Sequence, residues 1–253
     1  MVTITIINLK GGVGKSVTAC NLAAELAAAG KSVLVVDLDK QANTTKFFRG
    51  LDYDRASVAD LLTGDRFASA VLIETGLPGV GLLPANMRLL KANRQVLLDT
   101  TEPQQTRLRD QLAQISADWD VALLDCPPDL DMGSINALCA ADWAIVPVDC
   151  DEWATDGLRE ILDQMERIRM YHNPRLRLMG VLVTKYQRTR YARRAVEELA
   201  EMKLPVFRSV IRQCTAVKEA KYLHKPLRKY KPNSTAGQDY ECLGREVMDR
   251  LEG

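Results

Sequence analysis

Seven residues near the start of the chain, Lys10-Gly11-Gly12-Val13-Gly14-Lys15-Ser16, have the types and spacing that hold a phosphate group. Gly11, Gly12 and Gly14 open backbone angles closed to other residues and let main-chain N–H groups approach an anion. Lys15 adds a full positive charge where β- and γ-phosphates would lie, and the Ser16 hydroxyl can ligate Mg²⁺. The bland alternative is an ordinary glycine turn. The Gly-Lys-Ser ending argues against it, and so do the flanks. A β-branched run, Val2-Thr3-Ile4-Thr5-Ile6-Ile7, precedes the loop, and an Ala/Leu-rich segment from Val17 to Ala29 follows it as a helix. Strand, glycine loop and helix N-terminus together make an anion cradle, and Lys10 to Val17, Val13 included, are its candidate nucleotide-binding residues.

Two acidic positions complete a possible site. Ser32 to Leu38 reads as a strand and runs into Asp37-Leu38-Asp39-Lys40-Gln41-Ala42-Asn43. Carboxylates at i and i+2 share a face of a strand, and at its carboxyl end they face the crevice where ligands sit. A polar strand-to-helix cap is the competing reading. Trp119-Asp120-Val121-Ala122-Leu123-Leu124-Asp125-Cys126-Pro127-Pro128 is a buried apolar strand ending in an acid, the Walker B arrangement. Asp125 would hold Mg²⁺ through a water, and the two prolines bar the next loop from helix.

These residues must be carried by alternating strands and helices. Further strands read at Val80–Leu83, Ala144–Val148 and Arg177–Thr184, with the alternation continuing to residue 211. Helices read over Ser57–Leu62, Asn86–Leu98, Pro103–Ile115, Thr155–Met170 and Ser234–Leu251. Leu108, Leu112 and Ile115 recur at helical spacing and read as core. The pattern predicts one α/β domain over residues 1–253: a doubly wound, mostly parallel sheet with helices on both faces. The 253 residues suffice for one such core. No apolar run approaches a membrane span, and no basic region with an apolar core opens the chain, so neither a membrane anchor nor a signal peptide is expected. Six cysteines without a Cys-x-x-Cys pair read as reduced thiols of a cytosolic protein.

Lys10 separates this loop from the common P-loop, which opens with Gly. Lys-Gly-Gly-x-Gly-Lys-Ser resembles the deviant Walker A ATPases of the ParA/MinD type, and most of all the small ParA (Soj-like) DNA-partitioning ATPases. The likeness extends from Thr3 to about Val247 and includes the string Ala220…Pro226…Tyr230…Pro232-x-Ser234. The resemblance implies ATP/ADP and Mg²⁺ as ligands and a homodimer when ATP is bound. Lys10 would reach the partner's nucleotide, Asp39 would orient the attacking water, and Asp37 would lie near the Mg²⁺ shell. It places the base against Thr184-Lys185 and the loop Ile211-Arg212-Gln213. Lys40 stands where the family pattern has Pro, which leaves that loop without the ring's stiffness.

The chain is neutral overall, with a net charge of +1, yet residues 185–231 hold fourteen Lys/Arg and only four Glu. The cations fall in two clusters: Arg188, Arg190, Arg193 and Arg194, then Lys218, Lys221, Lys225, Arg228, Lys229 and Lys231. Charge alone leaves two readings open. One is a surface that neutralises DNA phosphates without reading bases; the other is a solvated face partly paired with Glu197, Glu198 and Glu201. The resemblance favours the first, with a nucleoid-associated, cytoplasmic protein and a ParB-like partner that stimulates hydrolysis. No helix-turn-helix segment precedes the P-loop, so operator binding is not expected. Two alternatives are weighed. A MinD-type membrane-surface ATPase needs a basic amphipathic C-terminal helix, which the mixed charges of Arg245–Glu252 do not supply. An iron–sulfur or other metabolic member of the wider group would need cysteines such as Cys126 and Cys150 at a dimer axis.

Overall fold

The computed structural model describes residues 1–150 and 154–252, with side chains of 154–156 excepted. The Cys150–Trp153 connection read from the sequence therefore lies mostly outside the described residues. In chain order the elements are β1 (Val2–Ile6), α1 (Lys15–Ala28), β2 (Val33–Asp37), α2 (Asn43–Phe48), α3 (Val58–Leu62), α4 (Ala68–Val71) and β3 (Ile73–Glu74). There follow β4 (Val80–Leu83), α5 (Leu89–Leu98), α6 (Arg107–Ala113), β5 (Val121–Asp125), α7 (Met132–Ala140), β6 (Trp143–Asp149) and α8 (Ala154–Tyr171). The chain closes with β7 (Arg177–Thr184), α9 (Arg190–Glu201), α10 (Thr215–Tyr222), α11 (Leu227–Tyr230) and α12 (Thr235–Glu252).

The strands form one sheet in the order β3-β4-β2-β5-β1-β6-β7. Every pairing is parallel except β3 with β4. Successive side chains alternate between two buried layers. Leu34, Val36, Ala122 and Leu124 face one core, which is closed by helices α3 and α5 to α8. Val33, Val35, Leu123, Ile4 and Ile6 face the other, closed by α1 and α10 to α12. Both faces are covered, so the inner strands β4, β2 and β5 are apolar, the last two up to their terminal acids, while β1 alternates with Thr3 and Thr5, both buried. Leu108, Leu112 and Ile115 are buried as the helical spacing requires.

Helix α12 lies tightly against α1. A Cβ at Gly244 would come within 2.7 Å of the Glu25 Cβ, so only glycine admits this approach. Tyr240 is fully buried beside it, its hydroxyl 3.2 Å from Thr18 Oγ1.

One sequence expectation is corrected. The alternation was expected to continue to a strand ending near residue 211, but β7 is the last strand among the described residues. Residues 205–212 run beside β7 and form isolated bridges, Val206 to Val181 and Arg212 to Tyr186 just past the strand, with one more bond from the Ile211 amide to Val183 O at 2.9 Å. Between the two bridges the Arg208 and Ser209 amides turn instead to the Glu246 carboxylate on α12, each at 2.9 Å.

Candidate functional site

β1 and β5 lie side by side at the middle of the sheet, with Ile6 opposite Asp125, so the glycine loop and the Walker B acid emerge together. Gly12 and Gly14 adopt φ of 78° and 93°, in the left-handed region that glycine enters freely. Gly14 is also the N-cap of α1, and no side chain caps that helix. The first intrahelical bond runs from Thr18 N to Gly14 O, so the amides of Gly14, Lys15, Ser16 and Val17 have no protein acceptor among the described residues. Buried unsatisfied donors at a helix start are costly unless a ligand takes them. Unpaired amides at a helix N-terminus, where the helix dipole is positive, suit an anion.

Lys15 is buried, and its Nζ donates to Asn8 O at 2.8 Å and Lys10 O at 3.1 Å. Burial lowers its pKa, and the neighbouring Asp125 carboxylate is the chief opposing influence. Asn8, which sequence reasoning missed, locks the loop's entry. Its Oδ1 accepts the Lys10 amide at 2.9 Å, while its Nδ2 donates to Pro147 O at 2.7 Å. The residue type at a strand end was the only signal available.

The three acids divide their roles. Asp39 Oδ1 accepts the Gln41 amide at 2.9 Å in a tight turn whose Ala42 has φ 53°. Asp37 is wholly buried and fully engaged. Oδ1 accepts Asp39 N at 3.1 Å, and Oδ2 accepts the Thr45 amide and hydroxyl at 2.8 and 2.7 Å. Asp125 is also wholly buried. Its Oδ2 accepts Thr44 Oγ1 at 2.7 Å, but Oδ1 has no hydrogen-bond partner among the described residues. Burial pushes the Asp125 carboxyl up to about 6, against the Thr44 and Ser16 hydroxyls, which lower it. A buried, unpaired carboxylate oxygen beside a serine hydroxyl fits Mg²⁺ chemistry. No cluster of three or more acidic, His or Cys ligands occurs among the described residues. Thr44 and Thr45, one to each carboxylate, were also missed. They sit on the first turn of α2, which braces both acids from one side.

A groove of about 360 Å³ opens from the glycine loop. It runs between α1, α2 and α10, past Val17, Cys20, Asn43, Phe47, Val217 and Lys221. The residues expected at a base do not line it. Thr184 is buried under the loop, its hydroxyl donating to Val13 O at 2.7 Å and Val148 O at 3.1 Å. Lys185 reaches Asp149 at 3.0 Å. Ile211 belongs to the core, Arg212 holds Asp239 with its guanidinium and backbone amide, and the Gln213 side chain meets that of Gln187. Conversely Lys221, expected on a DNA face, lines the groove, its Nζ 3.5 Å from Asn43 Oδ1.

The remaining cations are distributed unevenly. Arg188, Arg190, Arg193, Lys218, Lys225 and Lys229 are exposed. Arg194 pairs with Glu198 at 3.0 Å, while Arg228 is committed to the buried Glu25 at 2.7 Å. Lys10 is half-buried at the loop's entrance.

Left-handed glycines, an uncapped helix start, a buried lysine and a half-satisfied strand-end acid define a P-loop nucleotide-binding protein of the doubly wound class. A family model described as "AAA domain" matches residues 1–178. The chromosome partitioning protein ParA of Caulobacter vibrioides is 36% identical over 98% of this chain and 94% of its own. The chromosome-partitioning ATPase Soj of Thermus thermophilus is 38% identical, covering 98% and 96%. A solved structure of cobyrinic acid a,c-diamide synthase from Mycobacterium smegmatis, with bound ADP and magnesium, superposes with a TM-score of 0.87 at 31% identity, covering 100% of this chain and 96% of that one. The cell division ATPase MinD of Pyrococcus furiosus, at 24% identity and TM-score 0.79 over 98% of each chain, shares the fold. The chain belongs to the ParA/Soj family of P-loop partitioning ATPases.

Proposed function

We propose that this protein binds ATP with Mg²⁺, dimerises around two nucleotides, binds DNA without sequence preference in that state, and hydrolyses ATP when a ParB-like partner engages it. The cargo is a plasmid, a chromosome or a positioned assembly. The observation that carries this reading is the conjunction of four unpaired amides at the start of α1 with the unpaired Asp125 Oδ1 beside Ser16.

The amides of Gly14 to Val17 and the Lys15 ammonium would grip the phosphates, with Lys15 released from its two carbonyls. Ser16 and Asp125 would hold Mg²⁺, which neutralises phosphate charge, while Asp37 stands behind as an outer support. Lys10 would cross to the partner's phosphates and stabilise charge that grows during transfer. Asp39, fixed by its own turn, would orient water. A carboxylate is a weak base for water at neutral pH, which fits slow turnover without a partner. The base and ribose would follow the groove along Val17, Phe47 and Val217, whose apolar walls suit a flat ring. DNA would meet the exposed cations of α9 and of the α10–α11 region.

The MinD-like reading has less support. Among the described residues α12 buries Ala236, Tyr240, Leu243 and Val247 against the core, which occupies its apolar face. The iron–sulfur reading also weakens: Cys126 is buried against Thr5, and burial pushes its thiol to about 12.

ATP binding and turnover test the function directly. Lys15→Ala should weaken ATP binding by roughly two orders of magnitude, because several charge-assisted hydrogen bonds are lost together. Unchanged affinity by calorimetry would remove the P-loop assignment.

A further inference from the structure

The Asp39 turn holds a non-glycine residue, Ala42, in left-handed backbone at φ 53°. Such a residue costs on the order of 1 kcal/mol and persists only where its surroundings determine it. The Ala42 amide closes the turn on Asp39 O at 2.7 Å, and two lysine side chains tie the turn to its surroundings. Lys46 Nζ donates to Gln41 O at 2.8 Å from within α2. Lys40 Nζ meets Asp129 Oδ2 at 3.0 Å across the site, in the loop that follows β5. That anchor is itself fixed. The Asp129 carbonyl accepts Ser134 Oγ at 2.6 Å, and Asp131 caps α7 by accepting the Ser134 amide at 3.0 Å.

We propose that Lys40 is a positioning residue for hydrolysis, its ion pair with Asp129 tying the turn that carries Asp39 to the loop leaving the Walker B strand. The inference rests on the reading of Asp39 as the water-orienting group. The pair is 31% and 54% exposed at its two side chains, so its worth to folding is small. Its worth is geometric: it joins the turn that carries Asp39 to the loop that follows β5, the two loops that would flank a terminal phosphate held by the glycine loop. An orienting carboxylate displaced by about 1 Å loses up to a hundredfold in rate.

The test compares Lys40→Ala, Asp129→Asn, Lys40→Arg and the charge swap Lys40→Asp with Asp129→Lys in the full chain, with Asp39→Ala as reference. Turnover and KM are measured with Mg²⁺-ATP at low and high salt. Lys40→Ala and Asp129→Asn should each lower kcat about tenfold with KM and melting temperature unchanged. Lys40→Arg and the charge swap should restore most of it, and the wild-type rate should fall towards that of Lys40→Ala as salt rises. Wild-type kcat in Lys40→Ala, beside an inactive Asp39→Ala, overturns the inference and leaves the Asp39 reading intact. An active Asp39→Ala overturns the Asp39 reading itself. If Lys40→Ala does not fold, Asp129→Asn and the salt series decide the question alone.

Discussion

Asp37 and Asp125 stand directly opposite one another on the neighbouring parallel strands β2 and β5, and both are wholly buried. Burial is the main cause that lifts each carboxyl above the usual range, and the Asp125 charge lifts Asp37 further. The folded chain therefore holds these protons more tightly than the unfolded chain. The cost of ionising the pair is absent near the ordinary carboxylate pKa of about 4 and grows as pH rises through neutrality. Without ligand, Asp125→Asn should melt on the order of 3 °C higher than wild type at pH 8, with the difference vanishing near pH 4. The same variant should lose Mg²⁺-dependent nucleotide binding, while Thr44 keeps a carbonyl acceptor. Thermal melts across pH, with and without Mg²⁺-ATP, check both halves. A variant less stable than wild type at pH 8 would show that the buried charge is compensated.

Lys221 provides a separate test, because its two assignments predict different losses. As a groove residue beside Asn43 it should matter to nucleotide more than to DNA. Lys221→Glu should weaken ATP binding about tenfold, a loss of the size of one charged contact. DNA binding by nucleotide-saturated protein should change less than for Lys218→Glu, on the exposed side of the same helix. Fluorescent-nucleotide titration and DNA filter binding separate the two.

The arginines differ in what they have left to give. Arg190 and Arg193 are exposed at the start of α9, and reversing both should flatten the log–log salt dependence of DNA binding by about two. Arg228 is committed to Glu25, a buried acid whose pKa burial already raises. Arg228→Ala should leave the salt slope nearly unchanged and cost about 1–2 kcal/mol of stability, since it strands a buried carboxylate. A slope that falls as far for Arg228 as for the α9 pair would mean that the ion pair opens on DNA.

The parts of this design that depend on neighbours in sequence were legible before the structure. The glycine loop, the strand ending in Asp125 and the helices on both faces rest on local period and residue type, and the strands Val80–Leu83 and Arg177–Thr184 coincide with their expected bounds. What lay hidden depends on contacts between distant residues. Nothing in the run Asn43-Thr44-Thr45 announces that its two hydroxyls divide between acids 8 and 81 residues away. Likewise Glu246, 38 residues from Arg208, takes amides that local sequence assigns to a strand. Thr184 has the right type and position for a base contact, yet two buried carbonyls claim its hydroxyl. The cations of α10 and α11 look alike in sequence, and only packing against α1 and α2 sorts Lys221 and Arg228 from the rest.

The central claim is a nucleotide held between two copies of the chain, with Lys10 serving the opposite site. Sedimentation velocity of Asp39→Ala with Mg²⁺-ATP measures it most directly. A species of twice the chain mass is expected with ATP and of single mass with ADP, and a single mass under both conditions once Lys10→Ala is added. Asp39→Ala that stays single with saturating ATP, or a Lys10→Ala form that pairs as tightly as its parent, would contradict it.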